Sequence, residues 1–332
     1  MSMRAYQLEG FDSRPRIVDV PRPTPGEGEV LVQVRASSVN PLDANIAGGR
    51  ARRYKQYVFP AILGTDFAGV VAETGPGVTG LSPGDRVFGL VHGNIVRTGS
   101  FAEFLAVPQD QLAAVPATVD DPTAGVLGLA GVTAACCLDA VRVGEGDTLL
   151  VVGGSGGVGS FATQFAAAQG VQVIATARPG PEEDHVRKMG AAETVDWAAE
   201  DVALTVRGRH PDGVTAVIDL IDRDPAAFTP LVVGTLAPGG RAASTLRAAD
   251  PQAMQGIPAV NVRPEVNARV LHRLAELAEH SLQDSPATAA YDFDRIDAAF
   301  EALAAGAVGK LALRISSASS WARSPSAASG SR

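Results

Sequence analysis

Residues 148–170 read TLLVVGGSGGVGSFATQFAAAQG, and this stretch decides the fold. The apolar run Leu149, Leu150, Val151 and Val152 stops at glycines, and Gly154, Gly156 and Gly159 follow at G-x-G-x-x-G spacing. Small residues come next, with Phe161, Phe165 and Ala168 on one face of the helix that the spacing predicts. Strand, tight turn and helix in this order make a dinucleotide-binding unit. Its first glycine makes the turn, the second lets backbone approach a pyrophosphate, and the third lets the helix lie close on the strand. The helix N-terminus adds unpaired N–H groups and partial positive charge, both suited to phosphate. Gly154, Ser155, Gly156, Gly157, Val158 and Gly159 are therefore expected to hold the cofactor.

Outward from this loop, apolar runs at 147–152, 171–176, 214–219 and 240–244 alternate with helical stretches at 182–189 and 266–280. In the last of these, Val266, Val270, Leu274 and Leu277 form one stripe. Such alternation means βαβ units and a parallel sheet. Residues 1–121 differ in character. Short strands at 4–8, 17–20 and 29–36, with further ones through 61–110 punctuated by Gly and Pro, point to a small barrel. The basic and aromatic segment RARRYKQYVFP at 50–60 is either a solvated loop or a lid over a pocket. A helix at 294–304 (Ile296, Phe300 and Leu303 inward) and a strand at 311–315 are expected to return to the first domain. The expected organisation is 1–121 with 286–316, then 122–285 as the cofactor domain, and a disordered Ser/Ala-rich tail at 317–332.

With 332 residues the chain can bury two cores. Its net charge of −8 argues against a nucleic-acid-binding surface. No apolar run of membrane-spanning length and no signal-peptide core are expected, so no membrane partner is. The only cysteines, Cys136 and Cys137, are adjacent in an apolar stretch and read as buried small hydrophobes. Together these features predict a cytoplasmic protein.

The chain resembles the zinc-independent quinone oxidoreductase branch of the medium-chain dehydrogenase/reductase superfamily over about residues 3–315. Seven pieces stand in the family order: VNPLD at 39–43, GTDFAGVV at 64–71, GDRVFG at 84–89, AGVTA at 130–134, GGSGGVG at 153–159, APGG at 237–240 and GK at 309–310. The resemblance implies an α/β architecture: a GroES-like β-barrel catalytic domain plus a Rossmann doubly wound parallel sheet, with the cofactor in the cleft. Zinc members carry a histidine and a glutamate after the glycine where Gly64, Thr65 and Asp66 stand here, and residues 1–135 hold no cysteine. His92 and Asp66 make at most a remnant pair with no third ligand, so no metal is expected.

The strand after the glycine loop ends at Arg178, where an NAD-specific site would place Asp or Glu on the ribose 2′-OH. An arginine fork suits a 2′-phosphate, so NADP(H) is the expected cofactor. A tyrosine that relatives use for this phosphate falls at Trp197. By resemblance, Asn40 and Thr133, with backbone near Leu220 and Ser244, hold the nicotinamide. Tyr54 is the candidate proton donor to a developing enolate or phenolate oxygen, with Tyr57 next and solvent as the alternative. Asn40 is placed with Tyr54 at the reacting centre, Asp43 is expected to tie its loop, and Lys310 to make a structural contact near the cleft. The activity implied is hydride transfer from NADPH to a quinone or α,β-unsaturated carbonyl. An enoyl-thioester or biosynthetic tailoring reductase is a second reading, kept open by Arg50, Arg52, Arg53 and Lys55. A non-catalytic NADPH-binding protein is a third. The resemblance also implies a homodimer joined through an edge strand at 257–262.

Overall fold

The computed structural model describes residues 1–254 and 256–315; the tail expected to be disordered lies outside them. Six strands form one parallel sheet, in the spatial order Glu193–Val195, Gln172–Thr176, Thr148–Val152, Val214–Asp219, Leu236–Ser244 and Ala259–Asn261. Numbered by chain position, that order is 3-2-1-4-5-6. This is the doubly wound dinucleotide-binding arrangement, and ligands lie beyond the C-terminal strand ends at the switch point. Leu149, Leu150 and Val151 are completely buried, as a central strand covered on both faces requires. Leu150 stands in register with Ile174 on one side and Val217 on the other.

The N-terminal strands Glu29–Val39, Asp66–Thr74 and Arg86–Leu90 build a second, mostly antiparallel sheet. The end of the chain returns to it: Lys310–Arg314 pairs antiparallel with Glu29–Val39 and parallel with Ala287–Asp292. Phe67, Phe88, Phe101 and Phe293 are fully buried here or at its faces, each contributing roughly 2–3 kcal/mol of transfer free energy.

One helix, Asp121–Val141, packs against both sheets. It starts where Asp120 accepts a hydrogen bond from the Thr123 N–H at 2.9 Å, with Pro122 in the first turn. It is also long and apolar enough to cross a membrane, with a mean hydropathy of 1.8 over 18 residues, so the expectation that no such run exists is corrected. Here 78% of that window is buried inside the protein. A core helix between two sheets is apolar all round for the same reason as a spanning one. Gly128 lets it press on the barrel: a Cβ there would meet Asp66 Oδ1 at 2.6 Å and the Gly89 carbonyl oxygen at 2.8 Å.

Two facial predictions shift. The helix after the glycine loop spans Gly157–Ala167, so Ala168 is its exposed C-cap rather than part of the buried face of Phe161 and Phe165. The chain must turn there to reach the strand that begins at Gln172. The helix Ala268–Ser281 buries Leu271, Leu274 and Ala278, with Val270 and Leu277 only flanking that stripe.

Candidate active site

The glycine loop forms as the sequence predicts, with one role reassigned. The left-handed turn belongs to Gly153, at φ 82°, and not to Gly154, the first glycine of the motif. Gly154 is instead a packing position, where a Cβ would sit 2.7 Å from the Ala175 Cβ. At Gly159 a Cβ would lie 2.4 Å from the Gly153 carbonyl oxygen, so only glycine lets the helix approach this strand. Gly156 caps the helix, and the nearest atom to a Cβ there is 3.5 Å away, leaving room for a diphosphate against the N-terminal N–H groups. The barrel braces the loop from behind, where the Gly309 N–H donates to the Ser155 carbonyl at 2.8 Å.

Beneath the cleft lies a buried polar cluster. Asp66 is fully enclosed. Its Oδ2 accepts from Ser38 Oγ at 2.5 Å, Asn40 Nδ2 at 3.0 Å and Lys310 Nζ at 3.4 Å; its Oδ1 accepts from the Leu129 N–H at 2.6 Å. Lys310 also donates to Asn40 Oδ1 at 2.5 Å, across 270 residues of sequence. Asp43 accepts from the Asn40 N–H at 2.9 Å, from Asn40 Nδ2 at 3.0 Å and from Thr65 Oγ1 at 2.6 Å. Two carboxylates facing one ammonium in a dry site leave a net negative charge. Burial, with Asp66 adding repulsion, pushes the Asp43 carboxyl up to about 7 against the opposing pull of its hydrogen bonds and Lys310. With its carboxyl at about 7, Asp43 takes up a proton as pH falls through neutrality, and that proton offsets the surplus charge.

The cleft above has a volume of about 620 Å³. Asn40, Tyr54, Thr133, Gly156, Gly157, Val158, Gly159 and Leu220 all line it, so these eight expected site residues come together. The side-chain amide of Asn40 serves the cluster through both of its polar atoms, Nδ2 donating to Asp43 and Asp66 and Oδ1 accepting from Lys310. Thr133 donates its proton back to the Leu129 carbonyl at 2.7 Å and keeps acceptor capacity toward the cleft. Tyr54 is 58% exposed at the rim. Tyr57, the second proton-donor candidate, is spent: its hydroxyl donates to the Ile46 carbonyl at 2.8 Å and its ring packs on Phe11 and Phe59. Gly154, Ser155 and Ser244 lie outside the lining. Ser244 is buried, and its Oγ accepts from the Leu246 and Ala248 N–H groups at 3.2 and 3.1 Å, fixing the loop that does line the cleft.

Arg178 stands at the end of the second strand of the parallel sheet, as expected, but it is not free. The guanidinium donates to Glu182 Oε1 through Nε at 2.8 Å and through a terminal nitrogen at 2.5 Å, and the Arg178 N–H donates to Oε2 at 2.9 Å. Trp197 Nε1 donates to the same carboxylate at 3.1 Å, and its ring lies 5.3 Å from the guanidinium carbon. Glu182, in the first turn of the helix Pro181–Lys188, is thus the arginine's own counter-ion, held below its ordinary range by these bonds despite its partial burial.

Two family profiles match: "Alcohol dehydrogenase GroES-like domain" over residues 26–117 and "Zinc-binding dehydrogenase" over 157–255. A solved alcohol dehydrogenase superfamily protein from Novosphingobium aromaticivorans is 32% identical, at TM-score 0.80 over 95% of this chain and 100% of that one. The chain belongs to the medium-chain dehydrogenase/reductase superfamily. Within it the chain is quinone oxidoreductase-like and has the nicotinamide-cofactor fold. The chloroplastic quinone oxidoreductase QR1 of Triphysaria versicolor is 32% identical over 60% of this chain and 63% of its own length. A mycobacterial member solved in complex with NADPH is 30% identical, at TM-score 0.77 over 94% of this chain and 100% of that one. A phthioceranic/hydroxyphthioceranic acid synthase of Mycobacterium tuberculosis is 36% identical over 58% of this chain, but the match spans only 9% of that protein.

Among the described residues, no group of three His, Cys, Asp or Glu side chains converges as a metal site. Sequence reading missed the joint cluster of Ser38, Asp66 and Lys310, and it missed Arg223, Arg247 and Arg263 in the cleft lining. A signal for the arginines existed: each follows the end of a strand in the parallel sheet, where bound ligands lie.

Proposed function

We propose that this superfamily member is an NADPH-dependent reductase that transfers hydride to a quinone or an α,β-unsaturated carbonyl without zinc. The observation that supports it best is a mostly apolar cleft that joins the glycine cradle to the acceptor-side loops, above a carboxylate that protein donors already saturate. Asp66 belongs to the stretch Gly64–Asp66 where zinc members carry histidine and glutamate, and the Lys310 ammonium faces it at 3.4 Å, where a metal ion would need open coordination. A conjugated acceptor suits such a site, since charge delocalises onto its carbonyl without a Lewis acid.

NADPH, when bound, supplies the hydride from its nicotinamide ring. The chain does the rest. The N–H groups at Gly156–Gly159 hold the diphosphate, and Thr133 offers an acceptor to the nicotinamide amide. Lys310 and Asp66 fix Asn40 and with it the helical turn Pro41–Ala47 that floors the cleft. Leu42, Leu129, Val158 and Leu246 exclude water from the reacting carbon. Tyr54 or solvent gives the proton to the developing oxygen. Arg178 exchanges Glu182 for the 2′-phosphate, and the NADPH-bound relative supports that preference.

NADPH oxidation with 1,4-naphthoquinone, an alkenal and an enoyl-CoA, run side by side, tests this reading. Turnover of the first two supports it. Tight NADPH binding with no turnover of any acceptor contradicts it and leaves a non-catalytic NADPH-binding protein. Preference for the enoyl-CoA supports the thioester reading, which the arginines in the cleft favour. We also propose a homodimer. Ala259–Asn261 is the outer strand of the parallel sheet, paired on one side only among the described residues. A monomer in sedimentation at micromolar concentration contradicts it.

A further inference from the structure

Three arginines are the only charged residues that line the cleft among the described residues, and no acid lines it. This stands against a chain whose net charge is −8. Arg223, Arg247 and Arg263 form no ion pair and no side-chain hydrogen bond among the described residues, although Asp222, Asp224 and Glu265 neighbour two of them in sequence. Elsewhere in the parallel-sheet half Arg178, Arg187, Arg209 and Arg273 meet carboxylates, and Arg207 and Arg241 donate to backbone carbonyls.

The three are carried by separate, pre-ordered loops. Asp219 Oδ1 accepts from the Ile221 and Asp222 N–H groups at 2.7 and 3.0 Å, fixing the segment that presents Arg223. Ser244 Oγ fixes the segment of Arg247 from one side, and Asn261 clamps it from the other, with bonds of 3.1 and 2.7 Å to the Ala249 backbone. Arg247 sits at φ 67°, one of two non-glycine residues in the left-handed region among those described. Such strain persists where the surrounding structure over-determines it, and it clusters at binding sites. Arg263 follows Val262, whose N–H donates to the Ser244 carbonyl at 2.8 Å.

Position separates this group from the cofactor's phosphates. The diphosphate seat is the helix N-terminus at Gly156–Gly159, and the adenosine side lies toward Arg178 on the second strand. The arginines follow the fourth, fifth and sixth strands of the sheet, on the nicotinamide and acceptor side. We propose that they form an anion-reading rim, and that the acceptor is amphiphilic: an apolar conjugated body in the cleft and a phosphate or carboxylate on the rim. This rests on the reductase reading for the reaction but not for the binding. Fork geometry favours bidentate oxyanions, and a patch of one sign in a low-dielectric cleft raises the encounter rate of anions.

The test compares acceptors paired with and without an anionic group, on the wild type and on Arg247→Gln, Arg263→Gln and the double variant, and reads how each substitution changes the preference within a pair. 1,4-Naphthoquinone is set against its 2-sulfonate. Crotonyl-CoA is set against crotonyl-N-acetylcysteamine, which lacks phosphate, and benzoylacrylate against its methyl ester, which lacks the carboxylate. The wild type is expected to favour anionic members by about tenfold in kcat/KM, carried by KM and weakened by salt. The double variant should lose that preference, keep its rate with neutral members within about twofold, and keep its NADPH Kd. The pair that shows the larger effect identifies phosphate or carboxylate as the natural group. Equal losses for charged and neutral acceptors, or a weakened NADPH Kd, overturn the proposal, the latter assigning the arginines to the cofactor. Calorimetric titration of the same compounds into NADP⁺-loaded protein reads the preference even if nothing turns over. In that case the reaction assignment fails while the rim stands or falls on binding alone.

Discussion

Past the second strand of the parallel sheet, where the adenosine end of the cofactor is proposed to lie, Arg178 meets a carboxylate of its own chain through three hydrogen bonds; in the cleft, at the proposed acceptor end, Arg223, Arg247 and Arg263 meet none among the described residues. The two ends therefore ask different things of a ligand. An anion arriving at Arg178 has to replace Glu182, so the net gain is the difference between two charge-assisted contacts. An anion arriving at the proposed rim has no carboxylate to replace among the described residues. The cluster under Asn40 shows a third treatment, in which burial raises the Asp43 carboxyl to about 7, so that its surplus negative charge is offset by a proton as pH falls through neutrality.

The largest expected effect breaks both ends at once. Gly159→Ala drives a Cβ into the Gly153 carbonyl oxygen and should abolish measurable binding of NADPH and NADH alike, read by fluorescence titration. Retained binding would remove the glycine loop from the account.

The buried cluster predicts a pH effect of known sign. The Asp43 carboxyl sits at about 7 in the folded protein, against an ordinary value near 3.8. Its contribution to stability is complete below the lower value and is lost as pH rises through the upper one. Asp43→Asn fits the same hydrogen bonds once the Thr65 hydroxyl reverses, and it cannot ionise. The variant should therefore gain stability over the wild type by up to about 3 kcal/mol between roughly pH 5 and pH 8, measured by denaturant unfolding. Parallel pH profiles would show that Asp43 stays ionised throughout.

Arg178→Ala sharpens the comparison at the adenosine end. It removes the cation and frees Glu182 to repel, so the NADPH Kd should weaken about thirtyfold and the NADH Kd by less than about threefold. Glu182→Gln should do the reverse and less: NADPH about threefold tighter, with NADH unchanged. If Glu182→Gln weakened both cofactors equally, the carboxylate would be holding the ribose rather than competing with phosphate.

The comparison also explains what could be read from sequence. The glycine loop, the parallel order and the position of Arg178 depend on local spacing, and local spacing is visible in a string of letters. Arg178 and Glu182 stand only four residues apart, but the loop geometry that brings Glu182 Oε1 onto the guanidinium and Oε2 onto the Arg178 N–H cannot be read from that spacing. Lys310 reaches Asn40 only because the last strand returns to the barrel. The rim arginines share a cleft because parallel strands end on the same edge, a rule applied to the glycine loop and not carried across the sheet.

The most direct test is the rate of 1,4-naphthoquinone reduction by chelator-treated protein, with NADPH and NADH compared at equal concentration. The account predicts turnover that survives chelation and runs at least about tenfold faster in kcat/KM with NADPH. Activity that disappears with the chelator and returns with zinc, or a preference for NADH, would contradict it.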